Sequence, residues 1–486
     1  MQPRVTTILA IFLTLGFGLL ALWFFLPSST FTHRISFKPK VLPAFYQGGL
    51  QKGSGGKLEH DWDAYDPSNL FTPSQARNSS NALLPGLAFP SPESCGSCHA
   101  GIHNVWQQSL HSVSATDDWY LRVKEFFAFE RGEPAVRLCA GCHAPVALMK
   151  GEVGLYNRES ASSRQGVSCG FCHTLDAAHG GNGAYVSNPS RVRAYLGSDG
   201  LESTALGSGL GNQVSRFVLW QKPEAHIQDM GRGTNSSVLV SGQVCQACHS
   251  FTINNVKVQS TWDEWQSSSS AKKGVTCQGC HFKSSSNPDS LESGEIANGK
   301  SRGQVYAHTL GGGSTMQSPR ALENIETLKH NLKLEPKLKN GLLEVKVTNL
   351  MGGHSIPTGV TDLRQLWLEV TATNASNQTI FNSGTLDAVA NILEGSSIFH
   401  VVLVDARGQK LERHDIWRAA KILEDTRIPA DGSSVRSFKL PSDARGVQVR
   451  LLWRDVPSSF ASLVLKVPGS SIPVRELGVW TGHIPN

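Results

Sequence analysis

Apolar and polar positions alternate in different ways along the chain, and the pattern changes three times. From Val5 to Leu26 no residue is charged and Leu, Ile, Phe and Ala dominate. As a helix this run would be about 33 Å long, enough to cross a hydrocarbon core. A cleaved signal peptide is the alternative, but the apolar run exceeds a signal core, and Leu26-Pro-Ser-Ser-Thr-Phe31 lacks a small-x-small cleavage site. The expectation for 1–26 is an uncleaved single-pass anchor. Residues 27–90 are rich in Pro, Gly, Ser and Asn and carry no sustained period, which predicts a linker, with Trp62, Tyr65 and Phe71 available for partial packing. Between 91 and 310 helical periodicity comes only in short pieces, predicting helices over Trp106–Ser112, Asp117–Arg131 and Thr261–Ser268 joined by Gly/Ser loops.

Beyond 311 short β-type runs take over: Leu342–Val347, Leu366–Thr373, Ile398–Asp405, Ser434–Leu440, Val447–Trp453 and Ser462–Val467. Turn clusters such as Asn374-Ala-Ser-Asn377 and Asp405-Ala-Arg-Gly408 separate them, which predicts an antiparallel, sandwich-like all-β domain over 311–486. The fold class expected is thus multidomain: an N-terminal transmembrane helix, a mainly α and irregular region, and a C-terminal all-β domain.

The cysteines explain why 91–310 needs so little regular structure. Cys-x-x-Cys-His occurs five times, as Cys95/Cys98/His99, Cys139/Cys142/His143, Cys169/Cys172/His173, Cys245/Cys248/His249 and Cys277/Cys280/His281, and these motifs consume all ten cysteines. Disulfides do not require a two-residue gap followed by His, and zinc knuckles have no need of the adjacent His. The pattern reads as c-type haem attachment: two thiols bond the porphyrin and the histidine ligates iron from one face. Five covalent haem c groups would supply much of a core that the polypeptide only wraps. Covalent attachment takes place on the exported side, so the bulk of the chain is expected outside the cytoplasm, at the cell membrane. An internal repeat is also visible, with Cys139 to Cys169 spanning 30 positions and Cys245 to Cys277 spanning 32. A two-haem module used twice suggests a chain of haems for electron transfer.

Each iron needs a ligand on its second face. Of 17 histidines five belong to the motifs. Among the others, His111, His179, His226, His308 and His354 are best placed, which would make every haem bis-histidine. His103 and His330 are substitutes. Met149, Met230 and Met351 are possible iron ligands that would raise a haem potential, though a Met near a haem is more often packing.

The run Cys95-Gly-Ser-Cys-His99, Trp106-Gln-Gln-Ser-Leu-His111, Cys139-Ala-Gly-Cys-His-Ala-Pro145, Gly166-Val-Ser-Cys-Gly-Phe-Cys-His173, Trp262-Asp-Glu-Trp265 and Gly274-Val-Thr-Cys-Gln-Gly-Cys-His281 resembles the cytochrome c-554-type multihaem family. That family is related to octahaem hydroxylamine and nitrogen- or sulfur-oxyanion enzymes. The tail Val347-Thr-Asn-Leu-Met-Gly-Gly-His-Ser-Ile-Pro-Thr-Gly359 resembles the β domain that many such cytochromes carry. The resemblance implies electron transfer and supports His111 and His308 as distal ligands. It departs from the family in having five motifs rather than four or eight, in lacking a Cys-x-x-Cys-Lys site, and in continuing from the fifth motif into Phe282-Lys283.

Net charge is +6 from 45 Lys+Arg against 39 Asp+Glu, and haem propionates would bring the holoprotein near neutral, so nucleic acid is not an expected partner. Three functions are compatible with these residues. The first is a membrane-anchored pentahaem carrier between a quinol-oxidising membrane complex, or another cytochrome, and an extracytoplasmic redox partner. The second is an oxidoreductase with one open haem acting on a small nitrogen or sulfur oxyanion, with Lys283, Arg302 and His103 as helpers. The third is a homo-oligomeric, filament-forming subunit. The ligand count discriminates, since an enzyme needs one haem without a distal partner.

Overall fold

Asp117 follows a turn at 114–116 and points its carboxylate onto the backbone N–H of Tyr120 at 2.9 Å, capping the longest described helix of the haem region. The computed structural model describes residues 69–84, 89, 91–96, 99–154, 160–188, 236–282, 307–312, 314, 316, 318–350 and 352–484, with the backbone alone of 292–297 and 300–305. Val5–Leu26, most of the linker, Cys98, His226, Met230, Lys283 and Met351 lie outside the described residues. Among the described residues no helix is long and apolar enough to cross a membrane.

The haem region is built from short helices: α1 (Pro92–Gly96), α2 (Ala100–Gln107), α3 (Leu110–Val113), α4 (Asp118–Arg131), α5 (Arg137–His143), α6 (Cys169–Cys172), α7 (Gln243–His249), α8 (Thr261–Ser267) and α9 (Cys277–His281). The four later Cys-x-x-Cys-His motifs each occupy such a helix, whose single turn brings both thiols and the imidazole to one end. The helix expected over Trp106–Ser112 is in fact two, because the chain turns at Gln108 and Ser109; Ser109 reaches back with both its N–H and its hydroxyl to the Trp106 carbonyl. The other two expected helices appear as α4 and α8.

From Leu332 onward the chain is β-rich: β1 (Leu332–Lys339), β2 (Leu342–Asn349), β3 (Gln365–Thr373), β4 (Thr379–Ser383), β5 (Ile398–Phe399), β6 (Val401–Val404), β7 (Lys421–Asp425), β8 (Ser433–Lys439), β9 (Gly446–Arg454) and β10 (Arg475–His483). One antiparallel sheet runs β8-β2-β1. A second runs β4-β3-β9-β10, with β5 beside β3. Alternate residues Leu343, Val345 and Val347 of β2 meet Leu366, Leu368 and Val370 of β3 and Val447, Val449 and Leu451 of β9 in one core. Period-two apolar patterning is what puts them there. At roughly 1.5–3 kcal/mol per fully buried aliphatic side chain, this core outweighs any single polar contact around it.

Ser462–Val467, expected as a strand, is instead helical: a turn at Ser458–Phe460 continues as a wider turn over Ala461–Leu465. Phe460, Ala461 and Val464 are buried, a spacing that suits one face of a helix rather than alternate faces of a strand. The haem region and the β region meet along α4. Trp417 packs on Phe127 with ring centroids 4.8 Å apart and donates through Nε1 to Glu130 at 2.8 Å, and Arg418 pairs with the same carboxylate.

Candidate functional site

A Cys-x-x-Cys-His turn delivers one imidazole to an iron; what stands opposite decides the chemistry. Three motif histidines face a second imidazole. His249 faces His111 with ring centroids 6.1 Å apart and planes at 89°, His173 faces His308 at 6.4 Å and 23°, and His281 faces His354 at 6.2 Å and 19°. An imidazole nitrogen binds a first-row metal at about 2.0 Å, with the ring centroid about 1.1 Å further on, so two imidazoles sharing one metal stand roughly 6.2 Å apart. All three pairs match that separation, which neither ring packing nor a hydrogen bond between rings would require.

The protonation pattern agrees. His281 donates from Nδ1 to the Gly311 carbonyl at 2.7 Å and His354 from Nδ1 to the Ser355 carbonyl at 3.0 Å, which leaves Nε2 of each ring as the nitrogen with a lone pair. His143 likewise places Nδ1 3.2 Å from the Ser114 carbonyl. Burial, reinforced by neighbouring imidazoles, holds His111 down to about 3, and burial lowers His249 to about 4. The His143 ring keeps accessible area, yet protein encloses it closely enough that burial lowers it to about 4 as well. These rings stay neutral at physiological pH and keep a lone pair for a metal. The residues fit haem c: paired thiols, an adjacent imidazole, and opposed imidazoles at the ligation distance.

The thiols of different motifs also approach one another. Cys95 lies within hydrogen-bonding reach of Cys169, Cys142 of Cys248, and Cys245 of Cys277. Tyr185, fully buried, stands among Cys142, Cys172 and Cys248 and donates its hydroxyl to the Gly141 carbonyl at 2.9 Å. Among the described cysteines Cys280 is the exposed one. The cause lies in α9. Gln278 points inward, its Nε2 donating to the Leu239 and Ser241 carbonyls at 2.8 Å. Two residues further, about 200° around the helix, Cys280 faces outward. The fifth attachment site therefore has one thiol enclosed with Cys245 and one at the surface.

The partners are not sequence neighbours. His111 follows the first motif but faces the fourth. His308 follows the fifth and faces the third, and His354 comes from the β region. His308 and Leu310 take positive φ of 51° and 46°, so one tight loop presents His308 while lending the Gly311 carbonyl to His281. His179 is exposed, in the turn after Leu175–Ala178, and no motif histidine faces it among the described residues. Its backbone N–H goes to the Ala184 carbonyl, closing a short hairpin instead. His226 falls outside the described residues. Of the substitutes, His330 turns Nδ1 onto the Glu326 carbonyl of its own helix, and Met149 is fully buried, with its sulfur 3.7 Å from the Asn78 amide. His103 packs its ring against Gly96, where a Cβ would come within 2.6 Å, and its Nε2 is buried without a partner.

His143 differs from the three paired histidines. Tyr120 stacks on it with centroids 4.4 Å apart and planes within 6°, too close for a metal to stand between the rings. No second imidazole faces it at ligation distance among the described residues. The residue missed in the sequence is His414, whose Nδ1 lies 2.8 Å from the Asp362 carboxylate. Glu412-Arg-His-Asp415 carries no motif spacing, and only the packing of the β region against α4 gives it meaning.

A family model described as cytochrome c554 and c-prime matches residues 94–174. The crystal structure of a penta-heme cytochrome c552 from Thermochromatium tepidum superposes with a TM-score of 0.57 at 20% identity, covering 82% of this chain and 100% of that one. That likeness is one of fold. No curated protein matches the chain by sequence. The family match over 94–174 and the likeness in fold, together with the attachment motifs and the opposed imidazoles, support a multihaem c-type cytochrome.

Proposed function

We propose that this chain is a pentahaem electron carrier, anchored at the membrane through Val5–Leu26, whose haem and β regions stand on the extracytoplasmic side. It would take electrons from a quinol-linked membrane donor or another cytochrome and pass them to an extracytoplasmic redox partner. The observation that carries this reading is the set of three imidazole pairs at 6.1–6.4 Å. Haem iron cycles between the ferric and ferrous states, and two imidazoles keep it low-spin with little rearrangement between them. The chain's part is to hold rings such as His281 and His354 by Nδ1 hydrogen bonds, enclose the imidazoles, and keep the attachment sites of different motifs adjacent.

Low-temperature electron paramagnetic resonance of the oxidised, haem-loaded protein tests this, with spin quantified per haem. Low-spin signals accounting for all five haems support pure electron transfer. A high-spin signal of about one haem in five supports a second reading, an oxidoreductase with one open iron. The observation that raises that reading is His143, which no second imidazole faces at ligation distance among the described residues.

A further inference from the structure

A hairpin tip normally faces water. The one joining Leu175–Ala178 to Tyr185–Ser187 turns inward instead, and its Gly183 is buried. The tip reads Gly180-Gly181-Asn182-Gly183, with Gly180, Asn182 and Gly183 in the left-handed region at φ 89°, 60° and 73°. Glycine and asparagine take that conformation at little cost. Gly181 is required for a different reason: a Cβ there would stand 2.0 Å from the Ser250 carbonyl oxygen.

That close approach belongs to a set of contacts that end on three attachment turns. On the fourth motif, the Gly183 N–H donates to the Ala247 carbonyl at 2.7 Å and the Asn182 N–H to the Ser250 carbonyl at 2.8 Å. Ala247 lies between Cys245 and Cys248, and Ser250 follows His249. The Asn182 side chain adds two bonds to Thr252, donating from Nδ2 to its carbonyl at 2.7 Å and accepting its N–H at 2.8 Å. On the second motif, the buried Tyr185 donates its hydroxyl at 2.9 Å to the carbonyl of Gly141, between Cys139 and Cys142. On the third, its ring meets Phe171, between Cys169 and Cys172, edge-on with centroids 4.9 Å apart.

We propose that Gly181–Tyr185 is a strut fixing the second, third and fourth attachment sites against one another, with Asn182 and Tyr185 as positioning residues for electron exchange between the haems held there. This rests on the electron-carrier reading. Each attachment turn fixes its porphyrin through two thioethers and an imidazole, so the distance between turns sets the distance between haems. The exchange moves one electron: one iron passes from ferrous to ferric and its neighbour the reverse, with no bond or proton moved. Its rate therefore depends on separation and orientation, which the strut controls, as well as on the potentials, which it leaves alone.

The test uses the full, haem-loaded protein. Rapid freezing after a flash-reduction pulse follows the fourth-motif haem through its low-spin resonance, set apart from the parallel pairs by imidazole planes at 89°. Asn182→Gly keeps the left-handed turn but removes both side-chain bonds to Thr252. Tyr185→Phe keeps the ring on Phe171 but removes the bond to Gly141. Together they should slow redistribution between the fourth-motif haem and its neighbours about tenfold. Haem content, potentials and low-spin resonances should stay those of the native protein. Asn182→Asp, which still accepts the Thr252 N–H, should recover part of the rate when it replaces Asn182→Gly. Redistribution at the native rate in the double variant would overturn the proposal, even if the denaturation midpoint falls, and so would equal slowing at every haem. A native protein in which the pulse electron stays where it lands would instead overturn the electron-carrier reading.

Discussion

Opposed imidazoles differ in more than their separation. In the His111–His249 pair the planes are perpendicular, while His173–His308 and His281–His354 are near parallel. Perpendicular planes leave the two iron orbitals that overlap the ligand π systems nearly equal in energy, whereas parallel planes split them. The fourth-motif haem should therefore give a highly anisotropic low-spin signal, and the third- and fifth-motif haems rhombic ones. Replacing His111 by Ala should remove the anisotropic signal and add high-spin intensity of about one haem. His308→Ala should do the same to one rhombic signal; an unchanged oxidised spectrum in that variant would take His308 off the ligand list. At this scale the Cys and proximal His positions were legible because attachment chemistry requires a fixed spacing. His111, His308 and His354 were legible as candidates, but not the motif each one faces. His111 was expected as a ligand and does face a motif histidine, but which one follows from tertiary packing that no spacing encodes.

Among the elements, α8 shows how a ligand reaches its place from another region. Its Glu264 accepts from the Ser355 N–H at 3.0 Å and from the Thr358 hydroxyl at 2.8 Å, and pairs with Arg427. Thr261 on the same helix adds a hydroxyl contact to Thr358 at 2.8 Å. These bonds latch the 354–359 loop, and with it His354, onto the haem region. Glu264→Ala would leave the Ser355 N–H without its acceptor, while the Thr358 hydroxyl keeps Thr261 and Arg427 keeps Asp425. The cost should be about 1–3 kcal/mol, read as a lowered midpoint in chemical denaturation. The low-spin signal assigned to the His281–His354 haem should broaden or shift, while the other two stay as they were; Glu264→Gln, which keeps one acceptor oxygen, should restore most of it. An equal change in all signals would mean general loosening rather than a latch. Strong alternation made β2, β3, β8 and β9 legible, since their buried faces repeat every second residue. The exposed β7 and the charged β1 gave no such signal, and the apolar content of Ser462–Val467 misled because a short apolar run suits a helical turn as well as a strand.

Across the whole molecule, the proximity of attachment cysteines orders the haems in a way that the repeat only hinted at. The first motif touches the third through Cys95 and Cys169. The fourth touches the second through Cys248 and Cys142, and the fifth through Cys245 and Cys277; Cys172 of the third lies within electrostatic reach of both fourth-motif thiols. The fourth-motif haem is then expected to be a junction, crossed by an electron that passes from the first or third to the fifth. A methionine ligand raises haem potential relative to a second histidine. His111→Met should therefore make the junction haem the first to be reduced in a stepwise optical and paramagnetic-resonance titration. It should also hold electrons there, slowing rapid re-equilibration between the ends after a flash-reduction pulse by about tenfold for each 59 mV of added potential. If the substitution raises the junction potential but the ends equilibrate at the native rate, the haems are not in series through the fourth motif. Electron flow must then pass directly between the outer sites.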